Sequence, residues 1–281
     1  MHNSIDNFKP IGVFDSGYGG LTILKEFLIK LPQYDYVYLG DNARTPYGNR
    51  SFETVYNYTL QAVKKLFEMG CHLIILACNT ASAKALRTIQ QNDLPDIAPD
   101  KRVLGVVRPS VEALIKYTKS NHVGILGTVG TIISNSYPIE INKLYPEIQT
   151  FQEACPLWVP IVENGEHLSD GADYFVHKNI SNLLSKSKNI DTIILGCTHY
   201  PLLINKIKSE IPDNVSLVTQ GEIVAESLKD YLNRHFEIEI NCSKNGQRQF
   251  FTTDSPEMFD IKGNMFLENL IIIKSEKIVL D

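Results

Sequence analysis

The stretch LIILACNTASAKAL, Leu73–Leu86, decides the fold. Its apolar run, Leu73–Ala77, has the length and composition of a strand buried on both faces. Cys78, Asn79 and Thr80 follow, and the alanine-rich sequence after them reads as a helix over Ala81–Ile89. The order is therefore strand, thiol, hydrogen-bonding pair, helix. TIILGCTHYPLL, Thr192–Leu203, repeats it: an apolar run, then Cys197, then Thr198 and His199, with a helix expected over Leu202–Ile211.

Outward from these two stretches, Ile11–Phe14, Tyr36–Leu39, Val103–Val106 and Val123–Leu126 are further short apolar runs of strand character. Phe52–Met69, Asp170–Ser187 and Glu222–Arg234 carry helical periodicity. Strands alternating with helices predict an α/β fold with a mostly parallel sheet and helices on both faces. IGVFDSGYGG, from Ile11, is echoed by VGILGTVGT, Val123–Thr131, as LIILACNT is by IILGCTHY. Asp15 to Thr128 and Cys78 to Cys197 are nearly the same offset, which points to two related α/β halves. No low-complexity linker separates them. The boundary is expected near Val106–Ser110, where Pro109 interrupts. RQFFTTDSPEMF, Arg248–Phe259, reads as a strand, a turn and a short helix.

The 281 residues suit one large domain or two of ordinary size. With 43% hydrophobic and 21% charged residues the chain is globular in composition. A net charge of −5 and the lack of a Lys/Arg cluster argue against a nucleic-acid partner. No apolar run approaches the roughly 18–20 residues that cross a bilayer, and MHNSIDNFKP has no signal-peptide core, so no membrane association and a cytoplasmic location are expected. There the five cysteines stay reduced, and the odd number argues against a disulfide framework.

In open α/β sheets, ligands bind beyond the carboxyl ends of the strands, where both thiols fall. A helix N-terminus beside each thiol is expected to lower its pKa below about 8.5 and to help hold a carboxylate. Cys71, Cys155 and Cys242 lack this setting and read as structural. A metal site calls for CxxC or paired histidines, and a thioredoxin-like pair for CxxC; neither is present around Cys78 or Cys197. A Cys–His nucleophile employs Cys197 and His199 but leaves Cys78 idle. A racemase or epimerase without a cofactor uses both: one thiolate takes a proton from carbon while the other thiol delivers one from the opposite face.

GVFDSGYGGLT, YLGDNARTPYG, ILACNTASA, GILGTVGT, ACPLWVPIVE, LGCTHYPLL and TQGE, in this order, resemble the glutamate racemases; aspartate and hydantoin racemases are broader relatives. The resemblance implies two similar, pseudo-symmetric α/β domains with the site in the cleft between them. Here those are residues 1–106 plus 218–281, carrying Asp15 and Cys78, and residues 107–217, carrying Cys197. It implies Cys78 and Cys197 as the acid/base residues, with Asp15, His199 and Glu163 assisting. Asp15, Ser16, Tyr47, Gly48, Asn79, Thr80, Thr128, Thr198 and His199 are implied to bind substrate, with the Tyr47 hydroxyl toward the ligand. Also implied are interconversion of L- and D-glutamate with no pyridoxal phosphate or metal, a role in bacterial peptidoglycan synthesis and cell shape, and a homodimer. The alternatives are a racemase of aspartate or a hydantoin, or a Cys–His thiol hydrolase. Only Lys84 and Arg44 carry positive charge in the motifs, so substrate carboxylates are expected to be held by hydroxyls, amides and backbone N–H groups. One departure stands out: Pro109-Ser110 occupies the place of an expected Pro-Gly pair.

Overall fold

A computed structural model describes residues 8–280, and among these ten strands form two sheets. The strands are β1 (Ile11–Asp15), β2 (Tyr36–Gly40), β3 (Leu73–Leu76), β4 (Arg102–Gly105), β5 (His122–Gly127), β6 (Gln149–Ala154), β7 (Thr192–Gly196), β8 (Ser216–Val218), β9 (Arg248–Thr252) and β10 (Ser275–Lys277). One sheet has the order β10-β9-β2-β1-β3-β4 and the other β6-β5-β7-β8, and every pairing is parallel. The order β2-β1-β3-β4 recurs as β6-β5-β7-β8. The two echoes in the sequence are thus β1 with β5 and β3 with β7. Val218 pairs in the second sheet, one residue past the expected division of the chain.

Neighbouring residues of each central strand go to different cores. Leu73 and Ile75 of β3 join one buried cluster, and Ile74 and Leu76 join another beside the helix Phe52–Glu68. The first cluster also takes in Leu126, Ile193 and Leu195 of the second sheet, so the two halves share part of one core. Fully burying such side chains stabilises by about 1.5–3 kcal/mol each. The helix Phe52–Glu68 forms as its sequence prescribes: Ser51 caps it by accepting from the Thr54 N–H at 3.1 Å, and Val55, Thr59, Ala62, Val63 and Leu66 line its buried side.

The chain passes from the first sheet to the second after β4 and returns after β8 through the helix Gln220–Arg234. Pro109 does not break the first passage. It lies inside the helix Val107–Glu112, near its start, where proline is tolerated. Arg248–Thr252 and Pro256–Phe266 supply the expected strand and helix of the C-terminal stretch. Asp35, fully buried before β2, holds that returning segment. It accepts hydrogen bonds from the Ser243 hydroxyl, from Asn245 through backbone and side chain, and from the Gln247 N–H at 2.6 Å. His2 lies outside the described residues.

Candidate active site

β3 ends at Leu76, and two residues on Cys78 is the N-cap of the helix Asn79–Lys84. Its sulfur accepts from the Ala81 N–H at 3.5 Å, and its thiol donates to the Ser16 hydroxyl at 3.5 Å. Asp15 is the last residue of β1. One carboxylate oxygen, Oδ2, accepts from the Gly17 N–H at 2.9 Å, and Oδ1 has no hydrogen-bond partner among the described residues. The expected acidic thiol is corrected here. Burial first, and the nearby Asp15 second, push the Cys78 thiol up to about 12, against the help of Ser16 and the Ala81 N–H. Burial also raises Asp15, while His199 pulls it down.

Cys197 follows β7, but the expected helix does not start beside it. A turn intervenes, then a single 3₁₀ turn over Tyr200–Leu203, and the α-helix begins only at Ile204. What stands beside Cys197 is an imidazole: His199 Nδ1 lies 3.9 Å from its sulfur, and Nε2 lies 2.9 Å from Glu163 Oε1. Glu163 ends the helix Trp158–Glu163, and Phe266 packs edge-on against the His199 ring. Burial works against the imidazolium, yet the hydrogen bonds to Cys197 and Glu163 outweigh it and raise His199 to about 10. Each thiol therefore has its own companion, a carboxyl group for Cys78 and an imidazolium–carboxylate pair for Cys197.

Both thiols line one cavity of about 40 Å³, together with Ser16, Tyr47, Gly48, Asn79, Thr80, Thr128, Thr198 and His199. The first half supplies Thr80 and the second Thr128 and Thr131. Their hydroxyls form a buried cluster, with Thr80 3.0 Å from Thr128 and Thr128 3.1 Å from Thr131. Thr131 was not among the expected residues; its place one helical turn beyond Thr128 is the signal for it. Gly48 sits so close to Thr128 that a Cβ there would come within 2.9 Å. A Cβ on Gly19 would overlap Thr198 Oγ1 and His199 Nδ1, so the turn after β1 presses directly on the Cys197 turn. No Lys or Arg lines the cavity; Lys84 reaches the Arg50 carbonyl and Arg44 pairs with buried Asp41.

Two candidate side chains are engaged within the protein. The Tyr47 hydroxyl donates to Asp41, away from the cavity, because Asp41 and Arg44 form a buried polar cluster under that loop. The Asn79 amide is engaged by Tyr137 and Gln220, leaving its backbone N–H in the first helical turn, where no intrahelical acceptor exists. Cys155, expected to be structural, also lines the cavity. Among the described residues no group of three His, Cys, Asp or Glu side chains is placed to hold a metal ion, and no helix is long and apolar enough to cross a membrane.

Residues 28–228 match the family model described as Asp/Glu/Hydantoin racemase, which is more than half of the chain. The chain belongs to this family. A glutamate racemase of a Sulfurihydrogenibium species is 40% identical over 272 residues, covering 96% of this chain and 97% of that one. Among solved structures, a glutamate racemase isoform from Bacillus anthracis aligns with a TM-score of 0.87 at 35% identity, covering 98% of each chain. A glutamate racemase from Francisella tularensis in complex with D-glutamate aligns at 0.86 and 34% identity, covering 98% of this chain and 99% of that one. The two-sheet α/β architecture is thus that of the racemase family, and the seven sequence blocks that resemble it run from Gly12 to Glu222. Of the candidate residues, all but Asp15 and Glu163 line the cavity directly. Those two stand behind it, Asp15 beside Cys78 and Glu163 behind His199.

Proposed function

We propose that this protein interconverts L- and D-glutamate, without a cofactor, by a two-base mechanism in which Cys78 and Cys197 act on the α-carbon from opposite faces. The observation that carries the reading is one small cavity lined by two thiols from two related halves, each beside a separate proton-handling group. Cys78, whose burial favours the thiol, delivers the proton in one direction, and Cys197, 3.9 Å from His199 Nδ1, serves as the base for that abstraction. In the reverse direction Asp15, raised by burial and with a free oxygen, takes the Cys78 proton. Ser16, Gly48, Thr80, Thr128 and Thr198, with backbone N–H groups at Asn79 and the loop at Tyr47, hold the substrate. With no lysine or arginine lining the cavity, the substrate carboxylates fall to these hydroxyls and N–H groups.

Residues 1–106 with 218–281 and residues 107–217 form the two walls in this proposal. The names of the relatives favour glutamate over aspartate or a hydantoin. The product would serve bacterial peptidoglycan synthesis in the cytoplasm, and the enzyme would work as a homodimer, which sedimentation checks. The test is loss of the α-proton NMR signal of each glutamate enantiomer in D₂O with purified protein and nothing added. Wash-out with appearance of the other enantiomer is expected, and Cys78→Ser and Cys197→Ser should each stop racemisation. No exchange from either enantiomer by folded protein would sink the assignment.

A second reading rests on the Cys197–His199–Glu163 chain, whose order of thiol, imidazole and carboxylate also suits a thiol hydrolase. It predicts that Cys78→Ser keeps activity and that an acyl-thioester can be trapped on Cys197.

A further inference from the structure

Gln220 sits at the start of the return passage between the two sheets and is 3% exposed. Its side chain touches both passages. Nε2 donates to the Ser110 hydroxyl at 2.8 Å and lies 3.4 Å from the Val106 carbonyl, both on the first passage. It also donates to the Tyr137 hydroxyl at 2.7 Å, on a helix of the second half. The ring then closes on the residue next to Cys78. The Tyr137 hydroxyl donates to Asn79 Oδ1 at 2.7 Å, and Asn79 Nδ2 donates to Gln220 Oε1 at 2.6 Å. Ser110 passes its own proton to the Val106 carbonyl at 2.7 Å, so each hydroxyl and amide atom of the ring is paired.

We propose that Gln220 and Tyr137 are positioning residues for Cys78: through Asn79 they set where the Cys78 turn stands relative to the second half, and hence to Cys197. The proposal rests on the racemase reading above. Three features support it. Asn79, Ser110, Tyr137 and Gln220 are all buried, where leaving one member unpaired costs the full desolvation of a polar group. They come from four separate segments and include both passages, so relative movement of the halves must stretch or break the ring. By hydrogen bond the ring reaches only the Cys78 turn, through Asn79; the Tyr137 ring also lies against Gly196, beside Cys197, and Tyr137→Phe leaves that packing in place. Ser110, which stands where the family pattern leads one to expect glycine, adds an acceptor for Gln220 that glycine lacks. In this chain the ring is tied to the first passage as well as to the second half.

The experiment measures kcat and KM for both enantiomers, with protium and with deuterium on the α-carbon, for wild type, Tyr137→Phe, Ser110→Gly and Gln220→Glu. Tyr137→Phe is expected to lower kcat about tenfold with KM within about twofold, a modest misplacement by the standard of catalytic geometry. The deuterium effect should rise for one enantiomer only, the one whose proton Cys78 removes. Ser110→Gly should move the same quantities in the same direction by less. Gln220→Glu keeps the shape and the acceptor for Asn79 and reports on the donors if Tyr137→Phe does not fold. Unchanged kcat in folded variants, a loss carried wholly by KM, or a deuterium effect that rises equally for both enantiomers overturns the positioning role. A wild type inert toward both enantiomers overturns the racemase reading beneath it.

Discussion

Replacing Glu163 with glutamine tests the charge arrangement around Cys197 with little change of shape. Glu163 Oε1 lies 2.9 Å from His199 Nε2, and both side chains are largely buried, with 16% and 5% of their surface exposed. Glutamine keeps an acceptor and removes the charge. Exchanging a charge-assisted hydrogen bond for a neutral one loses about 1–1.5 kcal/mol, or roughly one pKa unit. Coulomb attraction at an effective dielectric near 20 sets the upper end at about 4 kcal/mol, or roughly three units. His199 should therefore fall from about 10 to between about 7 and 9. The sign is fixed: Glu163 raises His199, so its removal lets the imidazolium lose its proton at lower pH. The basic limb of kcat/KM should move down by the same amount. Activity near pH 7 should survive far better than activity near pH 9. The substrate ammonium also titrates in this range, but identically for both proteins, so the difference isolates His199. Nitrogen-15 NMR of the imidazole follows the same titration directly. A folded Gln variant whose His199 titration and basic limb stay where the wild type has them would refute the account.

Gly19→Ala should drive a methyl group into Thr198 and His199, costing about 1–3 kcal/mol of stability. Turnover should fall about a hundredfold, and an Ala variant of full activity would show that the turns do not press together in solution. Thr80→Val removes the first half's contribution to the hydroxyl cluster; KM should rise about tenfold with melting temperature little changed. An unaltered KM would mean that the substrate carboxylate is held elsewhere. Asp191 supports the second sheet's entry, accepting from the Lys119 and Ser120 N–H groups and from the Thr118 hydroxyl, each at 2.7 Å. Burial tends to raise its carboxyl, but these bonds outweigh it and hold the pKa at about 2. Because the folded value lies below the unfolded one of about 3.9, its stabilisation is present above pH 4 and lost as pH falls toward 2. Asp191→Asn should lower stability by about 2 kcal/mol at pH 7 and flatten the acid slope of thermal unfolding; an unchanged slope would count against it.

The parts of the fold that were legible are those where one segment carries its own signal. β1, β3, β5 and β7 are continuous apolar runs because both faces are buried, and the repeated strand-thiol pattern exposed the pairing of halves. β6, QTFQEA, was not legible: it is an edge strand of partial exposure whose polar residues break the apolar run. β8 and β10, three residues each, offer too little pattern. In the site, the motifs named nearly every residue lining the cavity but gave the wrong direction for Cys78. A helix N-terminus can be read from sequence, whereas burial and the carboxylate of Asp15, brought from another strand, cannot. The orientation of the Tyr47 hydroxyl and the engagement of the Asn79 amide were not legible for the same reason. Their partners, Asp41, Tyr137 and Gln220, depend on packing between segments.

The order of strands in the first sheet has a bearing on biosynthesis. β9 and β10 leave the ribosome after all four strands of the second sheet, yet β9 pairs with β2 near the middle of the first. A nascent chain that has reached β8 can complete the Cys197 wall, while the Cys78 wall still has β2 as a bare edge. Asp35 then lacks Ser243, Asn245 and Gln247, a buried carboxylate without its acceptor role filled. Until those residues emerge, the exposed edge of β2 is open to pairing with other chains. Growth of the polypeptide thus finishes the two walls in the reverse of the order in which their thiols are made, and the protein becomes competent only when its last quarter is in place.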